Sequence, residues 1–211
     1  MRLVLLVFLI ADVLPVSAQI AFPDQVTNTF IEWNEKRFSG STTYQLQTLD
    51  DLQVVKAVSD GTASGLYLEK RIDLLETPYL SWKWRIENRL NPANERSRDG
   101  DDYAARVYVI VDGGILFWKT RALSYVWSAS EQPGAAWDNA FAGSNVRMLA
   151  VRSADDPVFV WRKEKRNVLL DLKQAFGAEI RYIDAVAIMT DTDNTGGSAT
   201  AYYADIIFTP E

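Results

Sequence analysis

Hydrophobic and polar positions alternate most cleanly between Leu80 and Ile86. Leu80, Trp82, Trp84 and Ile86 share one face, and Ser81, Lys83 and Arg85 share the other, which is the period of a half-buried β-strand. Stretches of similar character recur between turn signals at Tyr44 to Gln47, at Leu52 to Val58 and at Gly65 to Leu74. Tyr103 to Val111 is apolar on both faces and predicts a central strand, turned by Asp112-Gly113-Gly114. Ile115 to Trp118, Leu123 to Trp127, Val146 to Val151 and Val158 to Trp161 add further predicted strands. Tyr182 to Thr190 and Thr200 to Phe208 read as the last two, around a loop from Asp191 to Ala199. One stretch departs from this period. Val168, Leu169, Leu172 and Phe176 recur at helical spacing, with Asn167 placed to cap the helix and Gly177 to end it. From Gln19 to Gly40 the pattern is weak, and Phe30, Trp33 and Phe38 are expected to tuck a leading segment onto the core. The sum predicts an all-β fold. It is an antiparallel β-sandwich of jelly-roll type with one short helix near 167–176, formed by a single domain over 19–211.

The N-terminus has a different pattern. Arg2 precedes an unbroken apolar run from Leu3 to Ile10, Pro15 breaks it, and Val16-Ser17-Ala18 offers small residues where a signal peptidase reads. Residues 1–18 are expected to be a cleaved signal peptide, leaving Gln19 first and the protein periplasmic or secreted. The run is shorter than the ~20 apolar residues of a spanning helix and carries Asp12, so no stable membrane anchor is expected after processing.

Composition then removes whole classes of chemistry. The 211 residues include neither Cys nor His. Thiolate and Ser-His-Asp nucleophiles, His general bases, and Cys or His metal sites are therefore excluded. Catalysis would fall to Asp, Glu, Tyr, Lys or Arg. A metal site would be oxygen-only, which favours calcium or magnesium. The net charge of −6, without a basic stripe, argues against nucleic acid. The run Arg162-Lys163-Glu164-Lys165-Arg166 is short and of mixed sign, and is expected to be a solvated turn.

Three stretches are candidates for a site. The first crowds Asp99, Asp101 and Asp102 before Tyr103, with Arg106 in an otherwise apolar strand, where it needs a carboxylate partner. The second, Asp191-Thr192-Asp193-Asn194-Thr195-Gly196, starts like a calcium loop, but its twelfth position is Tyr202 rather than Glu. It reads as a polar turn, with a divergent calcium site as the alternative. The third is Trp137, in the loop-like Pro133 to Asn139, where an aromatic ring would form an exposed platform for a sugar; most of the other tryptophans belong to the core. The expected ligand-binding set is Asp101, Asp102, Tyr103, Arg106, Trp137, Asp191, Asp193 and Asn194, with the two acidic stretches converging. An Arg106 ion-pair network is expected there ahead of calcium, and no other cofactor.

Gly100-Asp101-Asp102-Tyr103-Ala104-Ala105-Arg106-Val107-Tyr108, Tyr125-Val126-Trp127-Ser128 and Asp191-Thr192-Asp193-Asn194-Thr195 resemble the bacterial family known as domain of unknown function 3047. Ser64-Gly65-Leu66, Trp82-Lys83-Trp84-Arg85, Phe176-Gly177 and Tyr202-Tyr203-Ala204-Asp205-Ile206 carry the same resemblance, in order along the chain. It implies boundaries and motifs but no activity, since the family has none established; its members are often exported by Gram-negative bacteria. The closing strand also resembles that of galactose-binding-like β-sandwiches, which implies carbohydrate recognition. The expected function is a non-catalytic envelope protein whose partner is a glycan or a polar small molecule. A structural envelope protein, or a glycan hydrolase or lyase using Asp, Tyr and Arg, is the alternative.

Overall fold

The computed structural model describes residues 33–92, 94–114 and 119–211. The expected signal peptide, Phe30 and the predicted strand Ile115 to Trp118 lie outside the described residues. The described chain forms β1 (Asn34–Ser39), β2 (Thr43–Leu49), β3 (Leu52–Asp60), β4 (Ala63–Asp73), β5 (Tyr79–Ile86), β6 (Arg106–Val111), β7 (Arg121–Trp127), β8 (Ala136–Asn139), β9 (Gly143–Arg152), β10 (Arg162–Asn167), helix α1 (Val168–Phe176), β11 (Tyr182–Asp191) and β12 (Ser198–Thr209).

The strands make two sheets. One has seven strands in the order β1-β4-β11-β6-β7-β9-β8, and the other has five in the order β10-β5-β12-β3-β2. The result is the all-β sandwich with one short helix that the alternation predicts. Every neighbouring pair is antiparallel except β7 and β9, which run parallel. The chain between them carries β8, which pairs antiparallel on the far side of β9 and forms the edge. Leu80, Trp82, Trp84 and Ile86 of β5 are buried between the sheets with Val107 and Val109 of β6, so the predicted faces are the observed ones. Trp82 and Trp84 meet edge to face, their ring centroids 5.4 Å apart. Tyr203 of β12 crosses from the five-stranded sheet, donating to the Met189 carbonyl at 2.7 Å and accepting from the Arg106 amide at 3.3 Å. That pair of bonds fixes the two sheets against each other at the end where the site lies.

Helix α1 has the predicted ends. Asn167 Oδ1 accepts from the Leu170 amide at 3.0 Å, and Gly177 closes the helix at φ +64°. Four expectations are corrected. Phe38 lies in β1 and is 67% exposed, not tucked onto the core. Val158 to Trp161 forms a turn with Phe159 at φ +60° instead of a strand. The charged run at 162–166 is strand β10, paired with β5 at the sheet edge, and not a solvated turn. An edge strand needs one partner only and tolerates charge on its free side. Glu164 points inward from it and accepts from Trp84 Nε1 at 3.0 Å and Arg152 Nε at 2.6 Å. The predicted strand from Tyr103 pairs in the sheet only from Arg106, because side chains and isolated backbone bonds hold Tyr103 to Ala105 instead.

Candidate functional site

Alternation along the central strands places one row of side chains in the core and the other on the open face of the seven-stranded sheet. Val107 and Val109 of β6, and Val186 and Ile188 of β11, enter the core. Arg106, Tyr108 and Ile110 from β6, and Ala185, Ala187 and Met189 from β11, line a groove of about 940 Å³ on the opposite face. Its floor is deep because small residues recur there. At Gly65 of β4 a side-chain Cβ would come within 3.2 Å of the Ile188 carbonyl, so the glycine keeps that surface low. Phe38 of β1 and Phe141 of the β8–β9 connection stand in its walls, 67% and 53% exposed.

One end of the groove is polar, and the two acidic stretches meet there. Arg106 is 3% exposed. Its Nε donates to Asp191 Oδ1 at 2.8 Å, and its Nη2 pairs with Asp191 Oδ2. The same Nη2 donates to the Asp101 carbonyl at 2.8 Å, and Nη1 donates to the Tyr108 hydroxyl at 3.1 Å. The guanidinium lies 4.4 Å from the Tyr103 ring centroid, a cation–π contact. A buried arginine is thus matched by a bidentate carboxylate, which is what its desolvation demands. Gly100 opens this stretch. The Asn94 backbone runs so close to its Cα that any side chain would collide with it.

The eight expected residues take different positions. Asp101, Arg106, Asp191, Asp193 and Asn194 line the groove. Asp102 is fully buried and ties the second stretch to the first. It accepts from the Asn194 amide at 3.1 Å and from the Thr195 amide and hydroxyl, both at 2.6 Å. Tyr103 is buried beneath the polar end, and its hydroxyl donates to the Glu95 carbonyl at 3.0 Å. Trp137 corrects the expectation of an exposed loop platform. It sits in β8, 5% exposed, packed in a small second core with Tyr103, Val126, Met148 and Ala150. Pairing of β8 with β9 turns the ring inward, and no local pattern of four residues announces that pairing.

Asp101 differs from its neighbours. It is 5% exposed, and its Oδ2 accepts from Asn139 Nδ2 at 2.9 Å and lies 3.9 Å from Arg106 Nη1. Its Oδ1 is buried and has no hydrogen-bond partner among the described residues. Burial pushes its carboxyl above the usual carboxylate range, against the pull of Arg106 and Asn139, and Asp102 adds to the rise. Asp102, Asp191 and Asp193 each bring a carboxylate oxygen within 4.8 Å of the others, the donor set that calcium would use. Asp102 is held by three neutral donors and Asp191 by Arg106, so protein groups already partner two of the three.

Sequence reasoning missed three contributors. Asn139 positions Asp101, and Tyr108 borders Arg106. Glu95 is fully buried and gathers the 128–131 turn, accepting from the Ala129 amide at 3.0 Å, the Ser130 hydroxyl at 2.8 Å and the Glu131 amide at 3.1 Å. A lone Glu in a polar loop carries no local sign of that role. Asn139 was within reach, as the closing residue of the stretch marked by Trp137.

No curated protein matches the sequence. Among solved structures, the chain is similar to the family 30 carbohydrate-binding module of the cellulosomal cellulase Cel9D-Cel44B of Clostridium thermocellum. That match is 12% identical over 85% of this chain and 92% of that one, with a TM-score of 0.49. It is also similar to endoglucanase cel12A from Rhodothermus marinus, 12% identical over 84% and 96%, with a TM-score of 0.47. A third likeness is to the xyloglucanase domain of NopAA from Sinorhizobium fredii, 11% identical over 84% and 92%, with a TM-score of 0.45. Residues 31–207 match the family described as Protein of unknown function (DUF3047), over most of the strands and both acidic stretches, and the chain belongs to that family.

Proposed function

We propose that this is an exported, non-catalytic glycan-binding protein of the cell envelope. The observation that carries the reading is the open groove, with its low floor, two exposed phenyl walls and a polar end. A sugar chain has apolar ring faces and polar edges, and each finds its complement there. Export rests on Val16-Ser17-Ala18 behind the apolar run, so protein recovered from the periplasm should begin at Gln19. Recovery of the uncleaved chain in the inner membrane would contradict export.

Binding is tested by calorimetry against oligosaccharides of several linkages. Phe38→Ala and Phe141→Ala should each weaken binding by about tenfold. Both residues are exposed, so stability should change by less than about 0.5 kcal/mol. Binding unaffected by either change would remove the groove as the site, and no binding to any glycan would leave a structural role in the envelope. One observation favours a second reading. A carboxyl held above its usual range at the end of a groove is the trait of a general acid in glycoside cleavage. Release of reducing ends by the wild type, lost in Asp101→Asn, would make the protein a hydrolase.

A further inference from the structure

The groove has a charge of its own, and this inference rests on the glycan-binding reading above. Among the described residues, six carboxylates line it against one lysine and one arginine, Lys36 and Arg106. The arginine is already matched by Asp191. The walls are therefore acidic, which penalises an anionic ligand and favours one carrying positive charge. At the polar end two of the carboxylates that line the groove lack a dedicated cation. Asp101 is buried with Oδ1 unpartnered among the described residues, and its Oδ2 lies 3.9 Å from Arg106 Nη1. Asp193, half-buried in the same groove, makes no hydrogen bond or ion pair among the described residues. A buried acceptor without a donor costs free energy that a ligand donor at that position would recover.

We propose that the polar end is a subsite for a protonated amine, so that the groove takes glycans bearing unacetylated amino sugars. An ammonium group brings up to three donors and one charge, which suits an end of the groove lined by both Asp101 and Asp193. Phe141 borders the same groove, with the Arg98 guanidinium already 5.3 Å from its ring centroid. A neutral hydroxyl would supply one donor and no charge, and a uronate or phosphate would meet only repulsion.

The test compares three oligosaccharide series of matched length by calorimetry at low salt: glucosamine oligomers, their fully N-acetylated counterparts and galacturonate oligomers. The glucosamine series should bind about tenfold tighter than the acetylated one, and the galacturonate series should not bind. Raising the salt concentration should erode that preference. Asp101→Asn and Asp193→Asn should each lower the ratio of glucosamine to acetylated affinity, with folding checked by thermal melting. Asp193→Asn changes a side chain without described partners, so it separates loss of the subsite from loss of the fold. Equal affinity for the amine and acetylated series, or preference for the uronate, overturns the subsite while the glycan-binding reading stands. Failure of all three series to bind overturns the subsite, and failure of every oligosaccharide linkage tried overturns the glycan-binding reading as well.

Discussion

Arg106 joins what composition hinted at to what the fold built. A charged side chain in an apolar strand needs compensation, and Asp191, 85 residues away, supplies it on two oxygens. Truncation would leave Asp191 buried without a counter-charge. Arg106→Ala should therefore cost about 3–5 kcal/mol in chemical denaturation, and a loss below 1 kcal/mol would mean that water replaces the guanidinium. Asp101 runs the other way. Its folded carboxyl is raised mainly by burial, so the native state binds its proton more tightly than the unfolded chain does. Holding the charge costs stability in full above the folded-state value, and that cost fades as pH falls until both states are protonated. Asp101→Asn keeps an acceptor for Asn139 and removes the charge. Its melting temperature at pH 7 should equal or exceed that of the wild type, and the difference should vanish in acid below the ordinary carboxylate range. A loss at pH 7 would show that attraction to Arg106 outweighs burial.

At the scale of elements, β5 is the clearest case of local pattern becoming packing. Its alternation is strict, and every second residue is fully or almost fully buried. Trp84 also donates to Glu164 of β10, so one side chain both fills the core and pins the edge strand. Trp84→Ala should destabilise by about 3–5 kcal/mol, read from the shift in urea midpoint at constant slope; a much smaller shift would mean that the cavity collapses. β10 and β8 are the counterexamples. Five charged residues in sequence look like solvent-facing turn, and they pair because β5 offers an open edge. Ala136 to Asn139 is too short to show a period, and its strand character comes from β9 alone. Where a strand is stabilised by its own alternation it is visible in the sequence, and where its neighbour recruits it, it is not.

At the scale of the molecule, the strand-like stretches that became β3 to β7, β11 and β12, the single capped helix and the absence of Cys and His were properties of the chain alone. They settled an all-β class and removed thiol and imidazole chemistry, because periodicity and residue chemistry act within a few neighbours. The crowding of Asp99 to Asp102 and of Asp191 to Asp193 marked two candidate stretches on the same grounds. Their meeting was an expectation from electrostatics, and the sandwich brings them together through pairing of β6 with β11. The order of strands, the parallel β7–β9 pair, the inward turn of Trp137 and the exposure of Phe38 depended on partners tens of residues away. The groove belongs wholly to this second group. Small residues scattered over β4, β7 and β11 become a floor only when their strands lie side by side, so tertiary structure alone decided where a ligand would sit.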